Sequence, residues 1–486
     1  NLARFELAYA AGRDALLLFG VRLPAGFVPP LLIADVIGAK AALSGKDIAS
    51  LVDLPAVSDD RLKTAIRLMA AVLKAAYQIK PELSVHVGTK MVRLCLKHGN
   101  TAHSALGFMV FGCIFTGGVL KNYAAGYEFG RLALALVDKY EAHSIRAEVR
   151  FVVGYFANSW THPAAETETL WQGAYEAGLD IGDNFHASCA CSGTVQSLWM
   201  RGVPLAEVLE RQERFMGFLK RVDSSESIGT LEVVRQAIRN LTTGTKDRVC
   251  WDDDGFDEAK FIASLQGYGS RHFAHYYYVN KALTLLLWGE IGAAYDVLKT
   301  SATYLGDSVG MLHMAEHHFL CALVAAQLIR AKDPRGKKSV IKKTAKLLDK
   351  WAARCPANFE SRRQLVRAEL DALTGKTDRA ATGYDAAIAD AAERRQLNIE
   401  GIANELAAQF HLAGQKTRIG RFYLQEAKYC YDRWGAKGYA ESLAERYPGT
   451  VSALPSSSGY NSLTATIHST LSTVALDQAA AGSLDL

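Results

Sequence analysis

Apolar residues recur at helical spacing along most of the chain. Phe129, Leu132, Ala133, Leu136, Val137 and Tyr140 fall on one face of a 3.6-residue helix, as do Ala427, Cys430, Tyr431 and Trp434. Alternation of period two, the mark of a half-buried strand, is nearly absent. The stretch Val85-His86-Val87 is short and runs into the helix-like series Met91, Leu94, Cys95. The pattern predicts an all-α protein. Its 11 prolines include Pro55, Pro81, Pro163, Pro334, Pro356 and Pro448, which fall between periodic segments and punctuate the helices.

Turn signals within this pattern lie at Gly118, His162-Pro163, Gly202, Gly244, Gly289, Asp333-Pro334, Gly375 and Gly414, each 39 to 45 residues after the last. That spacing matches a two-helix hairpin repeat of tetratricopeptide-like or HEAT-like length, with a period of about 42 residues. Several turns share a grammar in which Gly ends one helix and the next opens with Ala and an aromatic. Gly289 leads to Ala293-Ala294-Tyr295, Gly375 to Ala380, Ala381 and Tyr384, and Gly414 to Phe422-Tyr423. Small residues let paired helices approach, and the aromatic is expected to fill the groove between hairpins. A hairpin cannot bury its apolar face alone, so the repeats should stack into a superhelical solenoid with a continuous core and an extended concave surface. The expected division is an N-terminal helical region over 1–100, repeats over 101–450, and a Ser/Thr/Ala-rich linker over 451–486.

Composition narrows the function classes. A hydrophobic share of 49% with 22% charge suits a folded chain, and a net charge of +5 spread over 486 residues makes no demand for nucleic acid. Apolar runs such as 15–19 and 283–288 fall far short of the roughly 20 residues that span a bilayer, so no membrane insertion is expected. The eight cysteines are scattered through apolar helical stretches, which suits buried thiols in a reducing cytoplasm. The opening at Asn1 reads as the interior of a longer chain.

Candidate chemistry is sparse. Gly375-Lys376-Thr377 ends like a phosphate-binding loop, but Leu370 stands where the first glycine belongs, on a helix where a strand is required. Gly267-Tyr-Gly269 starts a dinucleotide fingerprint that fails at His272. His313 and His317, with Glu316 and His318 beside them, place two imidazoles on one helix face as a possible metal half-site; no third ligand can be named, and a packing role is the plainer reading. Cys189-x-Cys191 lacks a partner pair and is read as core thiols. Trp251-Asp252-Asp253-Asp254 lacks calcium-loop spacing and is read as a solvated acidic loop. Lys332, Arg335, Lys337, Lys338, Lys342, Lys343 and Lys346 form a basic helix start, read as a solvated face. The seven tryptophans are read as packing between hairpins. No catalytic, cofactor-binding or metal-binding residue is assigned.

Several strings resemble the helical middle region of large bacterial multidomain signalling proteins. They are Leu54-Pro55, Lys90-Met91-Val92 with Lys97-His98-Gly99-Asn100, Gly126-Tyr127-Glu128-Phe129-Gly130 with Leu132-Ala133, and Tyr431-x-x-Trp434-Gly435-Ala436-Lys437 with Leu443 and Tyr447-Pro448. In that family a serine/threonine kinase-like domain and a STAND/AAA-type ATPase precede the helical region, and a GAF domain and sensor histidine kinase follow. The resemblance covers about residues 1–450. It implies partners in the flanking ATPase and kinase domains of the same polypeptide and a protein or peptide on the concave face, and it carries over no catalytic residue. Tyr439 departs from the family, where a second basic residue is common, which puts charge pairing at that position in doubt.

The expectation that follows is a non-catalytic scaffold or sensor arm of a signal-transduction ATPase/kinase. A free-standing peptide-binding repeat protein, or the regulatory arm of a transcriptional activator touching acidic partners through the Lys-rich turn, is the alternative. An enzyme using a metal on the His313/His317 face is a third.

Overall fold

The computed structural model describes residues 2–265 and 271–447. Residues 1–441 form one compact unit; the second unit, 442–486, is described only over 442–447. The Ser/Thr/Ala-rich stretch 451–486, Pro448 and Gly267-Tyr-Gly269 therefore lie outside the described residues.

The protein is an all-α solenoid in which each helix packs on its chain neighbours. Among the described residues there is no β-strand, only two isolated bridges, Ala56 with Asn100 and Asp253 with Phe256. The chain opens with α1 (Leu2–Leu18), α2 (Pro29–Leu43), α3 (Asp60–Ile79) and α4 (Pro81–His98). Then α5 (Ser104–Met109) continues as a π-helix (Val110–Val119), followed by α6 (Tyr123–Lys139). Hairpins follow: α7 (His143–Phe156) with α8 (Thr167–Ile181), α9 (Asn184–Met200) with α10 (Leu205–Arg221), and α11 (Ser225–Leu241) with the short α12 (Glu258–Ser264). The series ends with α13 (Arg271–Trp288) and α14 (Ile291–Ala302), α15 (His313–Arg330) and α16 (Lys338–Ala352), α17 (Pro356–Ala372) and α18 (Thr377–Glu393), α19 (Leu397–Ala413) and α20 (Thr417–Trp434), then α21 (Lys437–Arg446).

From α7 to α19 the leading helices of successive hairpins start 41 to 46 residues apart, and seven of the eight expected turns fall between helices; Gly118 instead lies at the end of the π-helix, just ahead of the left-handed Lys121. Val85-His86-Val87 is buried helix within α4. Prolines 81 and 356 take the first positions of α4 and α17, where the missing N–H costs nothing. The Ala-and-aromatic grammar holds at Ala380 and Tyr384, both fully buried, whereas Phe422 is exposed and Tyr423 instead stacks on His411.

A left-handed residue ends most helices and recurs about every 20 residues: Lys121, Glu141, Gly182, Gly202, Asp223, Thr243, Gly289, Lys332, Gly375, Arg395, Gln415 and Gly435. This C-terminal cap turns the chain and satisfies the last helical carbonyls, at a cost when the residue is not glycine. Gln415, exposed at φ 57°, is such a site. Gln415→Gly is expected to raise the unfolding free energy by about 0.5–1 kcal/mol, the relieved strain less the added freedom of the unfolded chain, in urea titrations followed by circular dichroism.

The coil is wound tightly enough that hairpins far apart in sequence touch. Asn358, at the start of α17, donates to Ser159 O at 2.6 Å and His162 O at 2.9 Å and accepts from Ala164 N at 2.9 Å, closing contacts across 194 to 199 residues. Arg362 and Asn398 both reach the Met200 carbonyl at the end of α9. Such separations approach five hairpins, so helix ends on one turn of the coil meet helix starts on the next. All seven tryptophans are buried, and several sit at these junctions. Trp160 stacks on Tyr123 (4.6 Å) and Phe359 (5.6 Å), meets Trp351 (5.5 Å), and donates to Gly310 O at 2.7 Å. Trp199 packs on Trp434 at 5.3 Å and donates to Asn280.

Candidate functional site

The interior of the coil holds a cavity of about 400 Å³. Its wall is built from the leading helices of successive hairpins, α3, α5 with the π-helix, α7, α9, α11 and α13. The π-helix places Val110 and Ile114 on that wall. Its widened hydrogen-bonding, with Leu120 N on Phe115 O and the Thr116 hydroxyl on Phe111 O, separates it from the flanking helices, as π segments at functional positions do. Gly112 permits the bulge to seat on α6, since a Cβ there would lie 2.0 Å from Phe129 Cβ. Most of the remaining surface is apolar or aromatic, including Tyr77, Phe151, Tyr155, Phe273 and Tyr276.

Against this wall stand three carboxylates from three hairpins. Glu148 on α7 is buried and pairs with Lys74 of α3 at 2.9 Å. Desolvation alone would lower the Lys74 ammonium, but Glu148 outweighs it and holds the amine above its ordinary value. Asp183 caps α9 through His186 N and also binds His186 Nδ1 at 2.8 Å; its burial would raise the carboxyl, and the His186 contacts bring it below its ordinary value instead. Glu226, in the first turn of α11, has His272 Nε2 at 3.6 Å, longer than a hydrogen bond. Burial holds the His272 imidazole below its ordinary value, against the pull of Glu226. Burial pushes the Tyr77 phenol up to about 12, and the fields of Glu226 and Cys189 add to it. Burial likewise raises the Tyr155 phenol and the Cys189 thiol, with Glu226 contributing to both. These groups stay protonated at neutral pH, which suits hydrogen-bond donors and not nucleophiles.

The motifs flagged in the sequence lie elsewhere, apart from Cys189 and His272, which line the cavity. Gly375-Lys376-Thr377 is the turn from α17 to α18, and Lys376 pairs with Asp371 at 3.4 Å. His313 Nε2 meets Ser308 Oγ at 3.1 Å, and His317 Nδ1 meets Ser301 Oγ at 3.0 Å; His275 packs on both rings at 5.1 and 5.3 Å. No group of three or more His, Cys, Asp or Glu among the described residues is placed to hold a metal ion. The acidic loop is more structured than a solvated loop: the Asp253 side chain is 5% exposed and ion-paired with Arg239 at 2.6 Å, while Asp252 accepts from Glu258 N at 2.7 Å. Asp252 and Asp253 thus serve as turn and cap acceptors that close the long α11–α12 connection. The lysines of α16 are exposed, and Arg335 pairs with Asp333 at 2.9 Å and stacks on Tyr295.

The strings that carry the family resemblance make specific contacts. Asn100 N donates to Pro55 O at 2.8 Å and Val57 N to Asn100 O at 3.0 Å, while Gly99, at φ 104°, leaves no room for a Cβ beside Pro55 O. Lys90 pairs with the buried Asp35 at 3.2 Å. Tyr439, where the family favours a base, donates its hydroxyl to Glu405 at 2.7 Å, so a neutral donor satisfies that buried carboxylate.

No family model matches the chain. A stretch of 161 residues, 32% of the chain, is 24% identical to hybrid signal transduction histidine kinase G of Dictyostelium discoideum and covers 5% of that protein. The chain thus corresponds to a small fraction of the relative's length, and the likeness is to a signalling protein. No helix among the described residues is long and apolar enough to cross a membrane.

Proposed function

We propose that this chain is a non-catalytic helical-repeat arm of a multidomain cytoplasmic signalling polypeptide. In this reading residues 1–100 join it to an upstream STAND-type ATPase and serine/threonine kinase-like region. Residues 101–450 are tetratricopeptide-like repeats, and 451–486 lead to a downstream GAF or histidine-kinase region. The observation that carries the reading is the coil itself, a continuous stack of hairpins whose successive turns are joined at a few specific points such as Asn358 and Trp160. Such a stack passes a change at one hairpin to its chain neighbours and, through those joints, to the next turn of the coil. A partner or effector that binds one winding of the coil better than another shifts the population between them by that difference in affinity and no more. The partial likeness to a hybrid signal transduction histidine kinase supports the signalling context.

The test is phosphotransfer and nucleotide hydrolysis by the parent polypeptide with residues 101–450 excised in frame. The expected result is a change of at least severalfold in activity or in its response to stimulus. Activity and response both equal to wild type would refute the reading.

A further inference from the structure

The cavity has a character that the signalling reading does not supply. It draws charged groups from α3, α7, α11 and the start of α9 into a chamber lined mostly by aromatic and aliphatic side chains, with hydroxyls and amides such as Gln196, Ser227 and Thr230 among them, within the size range of small-molecule sites. Its charges do not balance. Glu148, Asp183 and Glu226 face one permanently cationic side chain, Lys74, which is taken up by Glu148. His186 occupies Asp183. Among the described residues Glu226, its side chain 38% exposed, has only the distant His272 imidazole as an ion-pair partner, while the Tyr77 and Tyr155 rings and the Cys189 thiol share its wall of the cavity. A carboxylate set among aromatic faces is the arrangement that takes an ammonium group, through an ion pair on one side and ring quadrupoles on the other. An anionic ligand would meet uncompensated negative charge there, and a neutral one would gain nothing from it.

We infer that the cavity binds a small amphipathic cation, an amine with an aromatic or branched apolar body, with its ammonium on Glu226 between Tyr77 and Tyr155 and its body against Met109, Val110 and Ile114. The apolar end then lies on the π-helix and the charged end on α11, so one occupant contacts helices several hairpins apart. An occupant held at both ends stabilises the wound form of the coil over any looser one in proportion to its affinity. Binding itself is independent of the signalling reading; only its use as an effector signal rests on that reading.

Titration calorimetry on the full 486-residue chain tests this with three probes that share one ring system: tryptamine (cationic), 3-methylindole (neutral) and indole-3-acetate (anionic). The expected result is that tryptamine binds at least tenfold more tightly than either of the others. Glu226→Gln, which keeps the side chain's size, should weaken tryptamine at least tenfold and leave 3-methylindole unchanged. Ile114→Phe, which fills the chamber and touches no charge, should weaken both, with circular dichroism confirming the native helix content of each variant. Absence of tryptamine binding, indole-3-acetate binding as tight as tryptamine, or tryptamine affinity unmoved by Glu226→Gln would each overturn the inference. Because the readout is binding, it stands or falls whatever phosphotransfer by the parent polypeptide shows.

Discussion

Trp160→Ala is expected to lower the unfolding free energy of the 1–441 unit by about 3–5 kcal/mol, the range for deleting a large buried aromatic with incomplete collapse of the space left behind. The indole is 1% exposed and closes four contacts at once, three ring packings and one hydrogen bond, with partners on α6, α16, α17 and the turn at Gly310. Its loss also leaves the Gly310 carbonyl without that donor, a further cost for a buried acceptor. Trp171 is the control, since its N–H donates to Phe151 O only 20 residues away, within one hairpin. Urea unfolding by circular dichroism gives the magnitude, and hydrogen exchange gives the place. In Trp160→Ala, amides at 158–164 and in the first turn of α17 should exchange faster together, whereas Trp171→Ala should leave α17 protected. Equal protection of α17 in both variants would show that Trp160 does not join the two turns of the coil.

Acidification should produce the second large effect. The imidazoles of His275, His313 and His317 pack together in the core, with Ser301, Ser308 and Cys321 as their hydrogen-bonding neighbours and His272, His318 and Tyr276 close by. Desolvation, with the neighbouring imidazoles adding to it, lowers His275 and His317 to about 3, and desolvation with the fields of Lys343 and Lys121 lowers His318 to about 4. In the unfolded chain each titrates near 6.5. Below that pH the unfolded state binds protons that the folded state refuses, so stability is full above about pH 6.5 and falls as pH drops, until the folded imidazoles themselves titrate. At pH 5 the loss is about 2 kcal/mol for each of His275, His317 and His318, roughly 6 kcal/mol together. Urea midpoints at pH 7 and pH 5 measure it. His275→Phe, which keeps an aromatic ring in the site, should shrink the difference between those two pH values by about 2 kcal/mol; a pH dependence identical to wild type would show that His275 does not set it.

Much of the architecture was legible because turn residues are punctuation with a mechanism. Gly202, Gly289, Gly375 and Gly414 mark real junctions, and their spacing carries the hairpin period, whereas Gly118 lies within the end of the π-helix. The turns between hairpins were harder to see. Glu141, Asp223 and Arg395 take the same left-handed conformation without being glycine, so nothing in their identity announces a turn. The π-helix was invisible for a different reason: 110–119 is buried over nearly its whole length, so its sequence is apolar on every side and no periodicity can report the extra residue per turn.

The cavity was not legible at all. Lys74, Glu148, Asp183 and Glu226 are each ordinary within their own helix, and only the winding of the coil brings them to one chamber. Cys189 stands out in the sequence only as one of a cysteine pair, and its place on the cavity wall depends on side chains from α3, α5 with the π-helix, α7, α11 and α13. Asp183 caps α9, Glu226 stands in the first turn of α11 and Glu148 lies inside α7, ordinary helix positions for an acidic residue that no sequence pattern singles out. Buried ion pairs were missed in the same way. Glu369, 1% exposed, takes both guanidinium arms of Arg330 and the Tyr384 hydroxyl, yet in sequence it is one more charge in a helix.

The signalling-arm reading is tested most directly by sequencing the coding region on both sides of residues 1–486. It predicts a nucleotide-binding domain with a complete phosphate-binding loop ahead of Asn1 and a GAF or histidine-kinase domain after Leu486. An initiator codon directly before Asn1 with a stop codon directly after Leu486 would contradict it and leave a free-standing repeat protein.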